Sequence, residues 1–149
     1  MQKTPLSFLE ISRRLRALPL PEVDLVLGIA TGGTVPASLA AHQLGCDMLL
    51  VHVNYRDEGN VPRYPAPVLF TLPPLPEGRR RILLVDDVSV SGKTMAAVLP
   101  LLAGHEVITL VMKGKADYVL FPEVRTCVQW PWQVEGREGD GADRPVLNS

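Results

Sequence analysis

The chain is expected to fold as an α/β domain, with a mostly parallel central sheet and helices on both faces. Two features predict this: a unit of strand, glycine turn, helix and strand that occurs twice, and strand segments that read as continuous apolar runs. The first unit spans Val23 to Val53 and the second Arg81 to Met112. Within the second, Ile82, Leu83, Leu84 and Val85 are uninterrupted apolar residues, as expected of a strand covered on both faces. Parallel strands joined through a helix imply right-handed crossovers.

The elements follow in order. Ser7 and Glu10 have capping-box spacing, and Phe8, Leu9, Ile11, Leu15 and Leu18 recur at helical intervals, so a first amphipathic helix covers about 7–18 with Arg13, Arg14 and Arg16 outward. Pro19 to Pro21 end it, and Val23 to Ile29 reads as a buried strand leading into Ala30–Thr34, the stretch ATGGT. A helix over Val35 to Leu44 closes on Gly45, placed for a left-handed C-cap, and Met48 to Val53 is the next strand. The segment Asn54 to Arg80 is dense in Pro, Gly and charge, with a short strand near Val68 to Leu72. Its part at about 54–66 is a candidate lid or a plain surface loop. The second unit continues with a helix at about 93–103, Gly104, and a strand from Val107 to Met112. The last residues, about 136–149, are polar, Gly-rich and expected to fray.

Composition narrows the function classes. A chain of 149 residues, 46% hydrophobic and 21% charged, reads as a single globular domain over 1–149. A net charge of −1 argues against nonspecific nucleic-acid binding as the main role. Cys46 and Cys127 stand alone, without the companions of a disulfide framework or a zinc site. No apolar run reaches the roughly 18 residues of a membrane span, and the expected compartment is the cytoplasm.

The chemistry concentrates in Arg81–Thr94, RILLVDDVSVSGKT. Ligands of open α/β sheets bind beyond the carboxyl ends of the strands, where Asp86 and Asp87 are expected. Ser89, Val90, Ser91, Gly92, Lys93 and Thr94 follow as a small, hydroxyl-rich loop before an apolar helix, so backbone amides can converge on a phosphate. Acids followed by a phosphate cradle suggest a phosphorylated sugar. The ending Gly-Lys-Thr is not a Walker loop, because that motif needs Gly where Asp87 stands. In ATGGT, Gly32 and Gly33 permit close approach of a second anionic group.

The stretch resembles the PRPP-binding signature of the type I phosphoribosyltransferases: four apolar residues, two acids, an apolar residue, and a hydroxyl-rich loop ending Gly-x-Thr. The resemblance implies that Asp86 and Asp87 engage the ribose hydroxyls of phosphoribosyl pyrophosphate (PRPP), directly or through Mg2+, while residues 89–94 wrap its 5′-phosphate. It further implies that Thr31, Gly32 and Gly33 form the pyrophosphate loop and that Tyr55 and Arg56 lie in the lid. Lys113 to Gln133 resembles the base-binding hood of the xanthine, guanine and hypoxanthine enzymes, about 113–133. There Lys113 would hold an exocyclic oxygen of the purine, the Val128 carbonyl would face the base, and Asp117 opens a strand-like segment. The alternative for Lys113 and Lys115 is solvated loop charge.

Three positions depart from the family pattern. Thr31 precedes the two glycines where a basic or small residue is usual, so backbone contacts carry more of the pyrophosphate. Cys127 stands where an aromatic stacks on the purine, a contact worth roughly 1–3 kcal/mol per base in single-strand binders; Trp130, Trp132 or Tyr118 would have to replace it, or the tryptophans are core anchors. Val90 stands where oxopurine enzymes carry an Asp, and it can neither give nor take a proton. The resemblance implies an enzyme acting on PRPP and a nucleobase, a 6-oxopurine first, in purine salvage, assembled as a homodimer or homotetramer. The alternative is a regulator that senses PRPP or a nucleotide without catalysis.

Overall fold

The computed structural model describes residues 2–54 and 68–134. A six-stranded sheet holds β2 (Leu25–Ala30), β3 (Asp47–Asn54), β4 (Val68–Thr71), β5 (Arg81–Ser89), β6 (Glu106–Gly114) and β7 (Tyr118–Val119), in the order β4-β3-β2-β5-β6-β7. All its pairings are parallel except β3 with β4. A separate two-stranded ladder joins β1 (Thr4–Pro5) to β8 (Val128–Gln129), and no sequence pattern announced it.

The uniform apolar strands sort into two cores because successive side chains face opposite ways. Val26, Leu83, Val85, Leu110 and Met112 pack with α1 (Phe8–Ala17), α2 (Thr34–Leu44) and the buried Phe121 and Trp130. Leu27, Ile29, Ile82, Leu84 and Val111 pack with Met95, Val98 and Leu102 on the other face. The expected helices on both faces are therefore present.

Several boundaries moved for physical reasons. Helix α1 begins where expected, since Ser7 and Glu10 form both bonds of the capping box. Gly45 is the left-handed cap of α2, at φ 67°. The second crossover helix is shorter than expected: α3 (Lys93–Val98) gives way to a 3₁₀ turn over Leu99–Leu102, because Pro100 has no amide to continue the α-helical ladder. Strand β5 is longer than its apolar run and carries both aspartates inside it. Strand β6 extends with it to the pair Ser89 and Gly114, so the ladder outlasts the hydrophobic pattern.

Strands β2 and β5 lie side by side, and their crossovers leave in opposite directions, toward β3 and toward β6. Such a reversal opens a crevice at the carboxyl ends. The approach of α2 to β2 depends on Gly28: a Cβ there would lie 2.6 Å from the Ala37 Cβ and 2.9 Å from a Leu50 methyl. Gly28→Ala is therefore expected to cost about 1–3 kcal/mol through overpacking, measured by urea denaturation.

Candidate functional site

Pairing between β2 and β5 stops at Gly28 and Val85, so from Asp86 onward β5 has a strand neighbour only on its β6 side. The loop Ala30–Thr34 fills the other side. Gly33 fits against backbone: an added Cβ would lie 2.5 Å from the Val85 carbonyl oxygen, 2.7 Å from that of Ile29 and 3.0 Å from the Asp86 Cα. Gly32 fits against a side chain, since its Cβ would fall 2.6–2.7 Å from all three atoms of the Asp87 carboxylate. The glycine loop and the acid pair, 55 residues apart in sequence, are thus in contact.

The loop's own hydrogen bonds decide which amides remain. Gly33 N–H donates to the Ile29 carbonyl at 2.7 Å and Thr34 N–H to the Thr31 carbonyl at 3.1 Å. The Thr31 and Gly32 amides are the donors not spent on the turn. The Ala30–Thr31 peptide is cis, and Thr31 is exposed.

Asp86 is buried, 7% exposed, while Asp87 is half-buried. Asp87 N–H donates to Asp86 Oδ1 at 2.8 Å, and Val88 N–H to Asp87 Oδ1 at 2.7 Å. Burial, then the neighbouring charge and side-chain hydrogen bond of Asp87, push the Asp86 carboxyl well above the usual carboxylate range. The Asp87 amide bond to it acts in the opposite sense and is outweighed. A buried carboxyl beside a second one is a site wanting positive charge. Among the described residues no cluster of three or more His, Cys, Asp or Glu could hold a metal by itself.

The loop after β5 is only partly as anticipated. Ser89 is the last residue of β5 and buried, with its carbonyl accepting the Lys115 amide at 2.8 Å, so it underlies the loop. Val90, 71% exposed, Ser91 and Lys93 form the outer part. Gly92, at φ 77°, is the N-cap of α3 and offers no capping side chain; Ser91 Oγ accepts the Lys93 amide at 3.4 Å. The amides of Thr94 and Met95 begin the helix without intrahelical acceptors.

Lys113 pairs with Val88 across the sheet, one residue beyond the acid pair. Its Nζ donates to the Thr126 carbonyl at 2.5 Å, tying the strand end to the segment that carries Cys127 and Val128. Cys127 is exposed and Val128 buried in β8. Asp117 and Thr109 exchange side-chain-to-amide bonds of 3.0 and 2.9 Å that fix the start of β7. Trp130 sits otherwise than a stacking platform needs: it is 3% exposed, belongs to the core, and lies parallel to Trp132 with ring centroids 5.2 Å apart. An indole covered on a face by its neighbour anchors the hood and is not free to receive a base. Tyr55, Arg56, the rest of the 54–66 segment beyond Asn54, and the tail 136–149 lie outside the described residues.

Arg14 points outward and is exposed, as expected, but it is not free in solvent. It forms an ion pair with Glu123, donates to the Leu120 carbonyl at 3.1 Å, and lies over the Phe121 ring with its guanidinium carbon 4.6 Å from the centroid. No helical periodicity signals such a contact, because its partners are more than a hundred residues away. Arg81 also has partners: Glu106 Oε2 at 3.0 Å and the Glu22 carbonyl at 3.2 Å. No helix among the described residues is long and apolar enough to cross a membrane.

Comparison with known proteins agrees with this fold. The model of the family described as phosphoribosyl transferase domain matches residues 16–138. A purine phosphoribosyltransferase from Pyrococcus horikoshii is similar over 100% of both chains, at 25% identity and a TM-score of 0.70. A protein from Neisseria gonorrhoeae with bound ppGpp shares the fold, at 21% identity and TM-score 0.68, over 95% of this chain and 99% of that one. So does the xanthine-guanine-hypoxanthine phosphoribosyltransferase of Helicobacter pylori, at 17% identity and TM-score 0.68, over 89% and 95%.

The acid pair sets a pH dependence. The folded Asp86 holds its proton more tightly than an unfolded Asp, whose pKa is about 3.9, so the folded state binds more protons between the two values. Stability should therefore fall as pH rises from about 4 through the raised value, then stay low. Asp86→Asn removes the charge, and its unfolding temperature without ligand should exceed that of the parent at pH 7, with the gap closing toward pH 4; a gap independent of pH would contradict it.

Proposed function

The chain belongs to the phosphoribosyl transferase domain family and is a phosphoribosyltransferase, and we propose that its reaction is the Mg2+-dependent transfer of the phosphoribosyl group of PRPP to a 6-oxopurine, with release of pyrophosphate, as in purine salvage. The observation that carries this reading is the contact of the Asp87 carboxylate with Gly32. A sugar on the acid pair and an anion on the glycine loop would then be adjacent parts of one molecule. PRPP has that layout, with ribose hydroxyls beside a pyrophosphate on the anomeric carbon. In this reading Asp86 and Asp87 hold the ribose hydroxyls and the metal, the Thr31 and Gly32 amides with Gly33 hold the pyrophosphate, and Val90 to Thr94, supported by Ser89, hold the 5′-phosphate. Lys113 and the Val128 carbonyl face the base, and Trp130 supports them from the core.

Two carboxylates, with no cluster of three or more acidic, imidazole or thiol ligands among the described residues, fit Mg2+, which keeps several waters and shares its shell between one or two carboxylates and substrate phosphates. The Asp86 carboxyl, held high by burial and Asp87, gains most from a cation. When bound, the metal neutralises charge on the leaving pyrophosphate. The bond from the anomeric carbon to the pyrophosphate oxygen breaks, a nitrogen of the base forms the new bond through an oxocarbenium-like transition state, and the proton that nitrogen gives up goes to the departing pyrophosphate. This chain's part is to hold the two partners in line and to keep water away from the anomeric carbon. The ammonium of Lys113 favours an oxygen at the purine edge over an amine, and the end-to-end similarity to the Pyrococcus horikoshii purine enzyme supports a purine. The proposal includes a single unit over 1–149, a cytoplasmic location and assembly as a homodimer or homotetramer, the last measurable by sedimentation.

Exposed Val90, where no proton can be exchanged, favours a second reading, a regulator that senses PRPP or a nucleotide. The Neisseria gonorrhoeae protein with bound ppGpp is a precedent for a nucleotide on this fold. Incubation with Mg2+, PRPP and a panel of bases separates the two: pyrophosphate release with a 6-oxopurine supports transfer, and no release with any base supports the regulator.

Asp86→Asn combined with Asp87→Asn should abolish turnover while circular dichroism reports an intact fold; an active double variant would overturn the site. Gly32→Ala pushes only the end of a side chain, so its unfolding free energy should change by less than about 1 kcal/mol. Its kcat/KM should nevertheless drop about tenfold or more, because Asp87 must leave its place.

A further inference from the structure

The turn that delivers the hood's base-facing residues is gripped from outside the sheet. Leu120 and Phe121 continue the parallel ladder, donating their amides to the Val111 and Met112 carbonyls at 3.0 and 2.8 Å. The chain then turns, with Val124 N–H donating to the Phe121 carbonyl at 3.2 Å, and leads to Thr126, whose carbonyl receives Lys113, and on to Val128. Arg14 holds this turn at three points: the Leu120 carbonyl before it, the Phe121 ring at its entry, and the Glu123 carboxylate within it. A guanidinium alone can do all three at once, because its flat face stacks while its edge donates in two directions. The position of Arg14 is itself fixed, since Ile11 and Leu15 are buried on the same helix and the capping box sets where that helix starts.

We propose that Arg14 is a positioning residue for the base subsite: by fixing the turn at 121–124 it sets where Lys113, Thr126 and Val128 meet, so the N-terminal helix governs affinity for the base and not for PRPP. The inference rests on the transfer reading, in which those residues face the base. The elements that meet PRPP in that reading, the ends of β2 and β5 with their loops, make none of these contacts. Arg14 and Glu123 are 44% and 51% exposed, and such pairs add little to global stability. The effect on the base should therefore be separable from unfolding.

The test compares Arg14→Ala, Arg14→Lys and Glu123→Gln with the parent, varying the base and PRPP in turn. In Arg14→Ala the KM for the base should rise about five- to tenfold, while the KM for PRPP and kcat at saturating base stay within about twofold. Arg14→Lys keeps the charge but loses the flat stack and the fork, and should recover only part of the affinity. Glu123→Gln, which keeps an acceptor, should lie nearest the parent. Hydrogen exchange reads the same effect without turnover: in Arg14→Ala, amides of 120–129 should exchange faster while those of β2 and β5 keep their protection. An unchanged base KM, an equal rise in both KM values, or unaltered exchange over 120–129 would overturn the role of Arg14. A parent protein that uses no base at all would instead remove the transfer reading, and the base-subsite claim with it.

Discussion

Everything at the carboxyl end of this sheet depends on how closely the loop after β2 approaches the end of β5. Gly33 lies against the backbone of Val85 and Asp86, and Gly32 against the Asp87 carboxylate, at separations that leave no room for a side chain at either position. Protein interiors are packed densely enough that one methyl group is felt, so Gly33, which meets backbone, admits no side chain, whereas one at Gly32 would displace the Asp87 carboxylate. It follows from the topology. Strand β2 ends before β5 does, and the loop takes the place of the missing ladder.

The same contact produces the electrostatic tension of the site. Placing Asp86 under the loop removes it from water, and placing Asp87 beside it adds a like charge, so the Asp86 carboxyl is pushed well above the usual carboxylate range. Perturbed groups in a crevice at a switch point are common at functional sites. The stability given up here is consistent with a site shaped for a charged ligand and its counterion.

The hood is held by a different kind of interaction. Its residues have little regular structure, and their placement comes from single contacts made by distant parts of the chain: Thr4 pairing with Val128, Lys113 reaching the Thr126 carbonyl, and Arg14 gripping 120–123. Each is weak on its own. Together they make the hood a joint product of the chain's first and last described elements.

How much of this was legible in the sequence divides along the same line. The parallel sheet, both crossovers and the acid pair with its loop could be read from the residues, because they rest on local rules: apolar runs, a capping box, a glycine after a helix, acids at the end of a strand. The extension of β5 through Asp86 to Ser89 could not, since it is the partner β6 that supplies the hydrogen bonds. Whether Trp130 is a base-facing ring or a core anchor stayed open in the sequence for the same reason, because only packing decides between a platform and an anchor. Arg14 looked like solvated charge, and its three partners lie beyond any helical or strand period. By itself the sequence determined which chemical groups stand at the ends of which strands, since that is set by neighbours along the chain. Only the tertiary structure decided that Gly32 touches Asp87 and that the N-terminal helix holds the hood, because both contacts are closed by packing between segments whose sequences carry no record of one another.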